Sequence, residues 1–496
     1  MRKRFEQQRV LGTIPIEDVE IDEKSRHELK YLVAGLKYIF TTPEINEAIF
    51  KLMEEAIIGD KKDTGRNGMT LWQILVLGAA RLVMDIDYDA LHDYANNHKR
   101  LRQIMGCTND ANFKDEGYFH LQTIKDNVAL FNEDLLVKIN EVVVKSGHKL
   151  LKKKDEEVLI LKIKTDTYPV QANVHFPTDL NLLWDSGRKS LETLQNLSSM
   201  VQIRSWRKSN DLLKKLKNSY RKASEIHRKK GSDYQARLKN AVTDYLAEAR
   251  RIATRLTDTL CLFMDTDLED KVKKVVDSLT YFHGMLLKHI DLVNRRILKE
   301  EKIPHSEKVF SVFETHVEWL QKGKANSPVE IGRNVLITTD QHHFILTHSI
   351  LKKETDKEQP IALAEKLKKS YIEEGICKIE SSSFDRGFYS SKNENAFKEI
   401  CDQVVMPKPG KKTEARKKEE ASATFVHLRK KHSAIESNIN ELEHCGLNRV
   451  PDRGEDGFKR YVALGILGYN IKRLGKVILE QSEKMPKVSP AQAKGT

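Results

Sequence analysis

Residues 159–165 alternate between two kinds of side chain. Leu159, Leu161, Ile163 and Thr165 fall on one side, Lys162 and Lys164 on the other. A period of two in a run rich in Ile and Leu is the pattern of a half-buried strand, and it fixes where a sheet must be built. Asp166 follows where the alternation stops, and Pro169 and Pro177 punctuate an extended run after it. A carboxylate at the end of a central strand is rigidly held and partly exposed, which suits a metal ligand or a catalytic group. The ordinary alternative is an Asp that caps a turn.

Everything before this strand reads as helix. Thr42-Pro43-Glu44 begins one, with a capping residue ahead of a proline at the first helical position, and Ile45, Ile49, Leu52 and Ala56 form its apolar stripe. Met69 to Met84 is apolar all round, as a helix buried among others would be. Short helices over Tyr88 to Asn96 and Lys99 to Met105 end at Gly106. Lys99, Arg100 and Arg102 either contact phosphate or form a solvated helix face.

From Asp185 to about Gly323 the chain is helical in pattern and highly charged. Leu212, Leu216 and Tyr220 form one stripe, Tyr245, Ile252 and Leu256 a second, Leu279, Leu286 and Ile290 a third, which predicts an antiparallel bundle. Its first helix carries Arg204, Arg207, Lys208, Lys214, Lys215, Arg221 and Lys222, with Trp206 and Tyr220 among them. Cations interleaved with aromatics suit a DNA-backbone groove or a base-stacking platform; a charged solvated face is the plain alternative.

Sheet signals then return. Asn334 to Thr339 and His343 to Ile350 flank Asp340-Gln341-His342 as a hairpin. Cys377 to Ser383 and Gln403 to Met406 read as strands, with Asp385 just past the first. Lys411 to Glu420 reads as a mobile charged loop, and long helices are expected from about Thr424 to Leu447 and from Gly457 to Gln481.

Three stretches carry a family resemblance. Thr165 to Leu183, T-D-T-x-x-x-x-A-N-x-H-x-P-T-D-x-N-L-L, resembles the segment around the first catalytic aspartate of DDE transposases of bacterial insertion sequences. Phe384-Asp385-Arg386-Gly387-Phe388-Tyr389-Ser390 is similar to the D-x-G-Y/F-Y-S signature around their second aspartate. His432-Ser433-Ala434-Ile435-Glu436-Ser437-Asn438-Ile439 resembles the helix of their catalytic glutamate, and His432, Glu436, Asn440 and Glu443 would share one face of it. Leu71 to Gly106 resembles the small helical unit that engages the element's terminal DNA, and Arg453 to Leu474 the final helix.

The resemblance implies an α/β catalytic core with an RNase H-like mixed sheet, an N-terminal helical domain and a large all-helical insertion. The implied division is an end-binding domain over 1–150, the core over 151–185 and 326–482, the insertion over 186–325, and a disordered tail over 483–496. It implies Asp166, Asp385 and Glu436 as catalytic metal ligands for two Mg²⁺, with Mn²⁺ able to substitute. Such ions, about 3.5–4 Å apart, activate a water or 3′-hydroxyl for in-line attack at phosphorus. The implied partners are double-stranded DNA (terminal inverted repeats and target) and further copies of the chain, a dimer or more. Arg386, Arg429 and His432 are placed to meet phosphate. Asp340 is a rival second carboxylate and Asp179 a supporting one.

The chain also departs from the pattern. Many relatives carry Tyr, Arg and Lys at the offsets held here by Arg429, His432 and Glu443, and Glu443 cannot replace a lysine's charge. The end-processing pathway, including any hairpin intermediate, therefore stays open. Two further readings compete: a catalytically inactive DNA-binding regulator, and a metal-dependent nuclease that never joins strands.

Composition narrows the partners. Lys and Arg number 85 against 72 Asp and Glu in 496 residues, a net +13, which favours a polyanion. The five cysteines are widely spaced, so neither a zinc site nor a disulfide framework is indicated and a reducing cytosol is expected, which the resemblance makes a bacterial cytoplasm close to the nucleoid. No apolar run is long enough to span a bilayer.

Overall fold

The computed structural model describes residues 2–5, 12–59, 68–108, 117–153, 158–201, 203, 206–229, 231, 233–264, 266–321, 329–375 and 377–484. The protein combines helices with one mixed sheet of seven strands. It divides into two compact units, one of residues 1–173 and 320–496, the other Val174–Trp319.

The sheet is built around β1 (Leu159–Ala172). The other strands are β2 (Glu318–Gln321), β3 (Val329–Thr339), β4 (Ile345–Ile350), β5 (Cys377–Phe384), β6 (Cys401–Val405) and the short β7 (Arg449–Val450). On one side β1 runs antiparallel to β3, which in turn pairs antiparallel with β4. On the other it runs parallel to β5, and β5 parallel to β6. Leu159, Leu161, Ile163 and Thr165 are buried on the face the alternation assigns them, while Lys162 stays exposed. Gly332 of β3 lies opposite Gln171, where a Cβ would run into the carbonyl oxygen of Val170. Glycine is what lets the two strands close up there.

β1 does not stop at Asp166, as the loss of alternation predicts, but continues to Ala172. The reason lies in its neighbours. β5 leaves the ladder at Phe384, paired with Thr165, and β7 joins only at Gln171. Gln171 and Asn173 donate their N–H groups toward the β7 side. By alternation the donor that Pro169 lacks would also point there, into the unpaired stretch, so the strand tolerates the proline.

The N-terminal helices belong to the same unit as the sheet. The helix Gly454–Lys484 packs against Leu29–Thr41, Leu71–Val83 and Glu133–Leu151. Leu71–Val83 is buried on nearly every side, as its composition requires. Asn470 accepts from Ile345 N–H at 3.0 Å and donates to Ile345 O at 2.8 Å, which satisfies the outer edge of β4.

In the other unit, helices Asp179–Met200, Ser209–Arg228, Tyr234–Cys261 and Asp270–Val293 surround one apolar core that includes Leu194, Leu216, Tyr245, Leu256 and Leu286.

Two expectations about the C-terminal region are corrected. Lys411 to Glu420 is no loop: Glu414–Glu420 is helical, because buried Arg416 pairs with Glu394 at 2.7 Å and Glu420 at 3.0 Å and donates to Met406 O. Thr424 to Leu447 is not one helix either. Ala423–His432 ends, a turn at Ser433 and Ala434 intervenes, and Ile435–Leu442 follows. The tail expected over 483–496 falls almost wholly outside the described residues.

Candidate metal centre

Strand pairing fixes the spacing of the two aspartates. Thr165 is level with Phe384 on adjacent parallel strands, so Asp166 and Asp385 are the next residues of each. A third group arrives from the helix Ala423–His432. Ligand atoms of Asp166, Asp385 and His432 all lie within 4.8 Å of one another. Asp385 is exposed, Asp166 half-buried and His432 buried.

The imidazole is held from behind. Its Nδ1 is 3.1 Å from Ser383 Oγ at the end of β5. Its Nε2 is 3.4 Å from Asp385 Oδ1, outside hydrogen-bond geometry, and has no hydrogen-bond partner among the described residues.

A fourth group, missed in the sequence, is Asp356. The Thr167 hydroxyl donates to its Oδ1 at 2.9 Å, while the Thr167 N–H donates to Asp166 Oδ1 at 2.8 Å. Gly387 makes room for it: a Cβ there would be 3.1 Å from Asp356 Oδ2. Gly387 has no left-handed φ, so its service is space, not a sharp turn. In sequence, Thr355-Asp356-Lys357-Glu358 is indistinguishable from ordinary capping chemistry, and it does form a capping box.

Crowded carboxylates repel one another. Burial first, then the charges of Asp385, Glu436 and Asp356, push the Asp166 carboxyl up to about 7 against the opposing Thr167 N–H. Burial and Asp385 likewise raise Asp356, opposed by the Thr167 hydroxyl. Burial lowers His432 although Asp385 opposes it. Asp166, Asp385 and His432 together form a group that could hold a metal ion.

No family model, curated protein or solved structure matches this chain.

Glu436 lies in the first turn of Ile435–Leu442, on a helix that packs against β1. It is exposed and acts on Asp166 through its charge, but it is not one of the three convergent groups. The turn at Ser433 and Ala434 means that His432 and Glu436 do not share the face of a single helix.

Asp340 is a structural residue: it is buried, 2.7 Å from His148 Nε2, and accepts from the N–H groups of His342 and Phe344. Asp179 belongs to the helical unit, where it pairs with Arg296 at 2.6 Å.

The expected DNA contacts divide by exposure. Lys99, Arg207, Lys208, Lys214, Lys215, Arg221, Lys222, Arg386 and Arg429 are exposed. Arg100 donates to Glu20 O. Arg102 is corrected: it is fully buried and donates to the carbonyls of Thr108 and Ala95, so it cannot reach phosphate. Trp206 is corrected too. Its ring is buried in the bundle core and Nε1 donates to Thr259 Oγ1 at 2.8 Å, which leaves no face for a base. Tyr220 stacks on Trp184 instead. Arg204 lies outside the described residues. No helix among the described residues is long and apolar enough to cross a membrane.

Proposed function

We propose that this chain is a DDE-type transposase of the bacterial insertion-sequence kind, which cuts and joins DNA strands at a divalent-cation centre. The observation that carries the reading is the convergence of Asp166 and Asp385, each the next residue after the last pair of two adjacent parallel strands, with a third donor from a helix. The sheet supports an RNase H-like core: a central strand with an antiparallel hairpin on one side and parallel strands on the other, bearing carboxylates where β5 leaves the ladder.

Asp166 and Asp385 would hold the cation, with Glu436 approaching from the neighbouring helix. Bound Mg²⁺ or Mn²⁺ supplies activation of an attacking water or 3′-hydroxyl and neutralises charge at the phosphate. The chain's own groups do the positioning. Thr167 fixes Asp166 and Asp356 together, Ser383 fixes the His432 ring, and Arg386 and Arg429 stand exposed nearby to take phosphate. The cationic face of Ser209–Arg228 gives the duplex a second, sequence-independent hold. Two or more copies bridging two element ends complete the reading.

The test is strand transfer from a precut 3′-hydroxyl end that carries the terminal repeats flanking the coding region. Transfer in Mg²⁺ or Mn²⁺, abolished by Asp166→Asn and by Asp385→Asn, supports it. Binding of those ends with neither cleavage nor transfer overturns it in favour of a DNA-binding regulator. Cleavage without transfer makes the protein a nuclease.

A further inference from the structure

We infer that His432 is itself a metal ligand through Nε2, and that the centre therefore takes Mn²⁺ in preference to Mg²⁺. This rests on the reading above that Asp166 and Asp385 hold a divalent cation. It departs from an all-carboxylate site filled by Mg²⁺.

Three observations carry it. His432 is only 8% exposed, yet its Nε2 has no hydrogen-bond partner among the described residues. A buried polar atom left bare calls for a partner not supplied by the protein. Second, the ring is oriented for ligation. Nδ1 lies 3.1 Å from Ser383 Oγ, and in the tautomer that donates to this hydroxyl the lone pair of Nε2 is the one facing the aspartates. Third, the spacing suits a shared ion. Two neighbouring donors of one cation at about 2.1 Å stand roughly 3 Å apart, and Nε2 is 3.4 Å from Asp385 Oδ1. A plain histidine–aspartate hydrogen bond would be shorter and aligned, and this contact is neither.

The donor type then decides the ion. Mg²⁺ binds oxygen and gives up its waters reluctantly, whereas first-row transition ions accept imidazole nitrogen. Asp356, tied to Thr167, and the exposed Glu436 remain oxygen donors beside it.

The experiment is pulsed electron paramagnetic resonance on the full chain loaded with Mn²⁺ alone, with a competing Mg²⁺ titration. The expected result is nitrogen modulation from one directly bound imidazole, lost in His432→Ala and His432→Gln and retained in His427→Ala. Mn²⁺ affinity should fall roughly tenfold or more in the His432 variants while Mg²⁺ affinity changes little. Should His432→Ala fail to fold, as judged by circular dichroism, His432→Gln carries the test. Bound Mn²⁺ without nitrogen modulation, or equal affinity for Mn²⁺ and Mg²⁺, overturns the inference and leaves the carboxylate centre standing. Mn²⁺ binding that is indifferent to Asp166→Asn removes the centre and the inference with it.

Discussion

Thr167 binds two acidic groups at once: its backbone N–H donates to Asp166 and its hydroxyl to Asp356. The residue is half-buried in a strand, so the rotamer that serves Asp356 is set by the sheet. Thr167→Val keeps the shape and removes only the hydroxyl. We expect strand cleavage to fall by about tenfold, the scale of losing a group that orients a ligand. Stability should change by under ~1 kcal/mol, because Asp356 keeps access to water. Cleavage assays beside urea melts of the same variant check this; full activity would detach Asp356 from the chemistry.

The raised Asp166 carboxyl predicts a pH effect. In the unfolded chain it titrates near 3.9, in the folded protein at about 7. The native state therefore holds the proton more tightly. Asp166 imposes no penalty below about pH 4, a growing one as pH rises, and the full one above about 7. Without divalent cations, Asp166→Asn should be more stable than wild type at pH 8 by about 2 kcal/mol, discounted for partial exposure. The gap should close by pH 4. Urea unfolding at pH 4, 6 and 8 decides it, and a gap that widens on acidification would contradict the assigned cause.

Gly387 is needed for the room it leaves beside Asp356. Gly387→Ala places a methyl 3.1 Å from Asp356 Oδ2, so the carboxylate must shift by a few tenths of an ångström. The backbone φ there suits any residue, which limits the stability cost to about 1 kcal/mol or less. Activity should drop while the melting temperature holds. A large loss of stability would mean that the residue serves the fold instead.

Buried and exposed cations should behave oppositely. Arg102→Leu strands the carbonyls of Thr108 and Ala95 and should destabilise by roughly 2–4 kcal/mol, with no change in the salt dependence of DNA binding. Lys214→Gln/Lys215→Gln removes two exposed charges. If both meet phosphate, the slope of log affinity against log salt should flatten by about 2. An unchanged slope would take that helix off the DNA.

The sequence is legible where one physical signal dominates. Alternation places the first half of β1, and Asp385 follows β5 directly. It misleads where tertiary pairing overrides local pattern. Asp166 looks like the strand's end, because the unpaired edge that lets β1 run on through Pro169 is made by β5 and β7, far away in sequence. Arg102, Trp206 and Arg416 read as surface, and each is drawn inward by partners that only the fold supplies: two carbonyls, a threonine hydroxyl, two glutamates. Asp356 was invisible because its partner, Thr167, is 189 positions away.

One irregularity in the sheet has a consequence for the chemistry. Leu161 pairs with Ile379, but Lys162 pairs with Ser381, so Glu380 is an extra residue in β5. Odd-numbered residues of β5 lie with the buried side of β1 before it, as Cys377 and Ile379 do, and with the Asp166 side after it, as Ser383 does. The strand thus changes parity once, upstream of its last acid. Straightening the strand with Glu380 kept in the ladder would bring Asp385 level with Thr167 and turn it to the opposite face of the sheet, whereas deleting the extra residue would leave it level with Asp166. The two aspartates meet because the bulge absorbs one residue of β5.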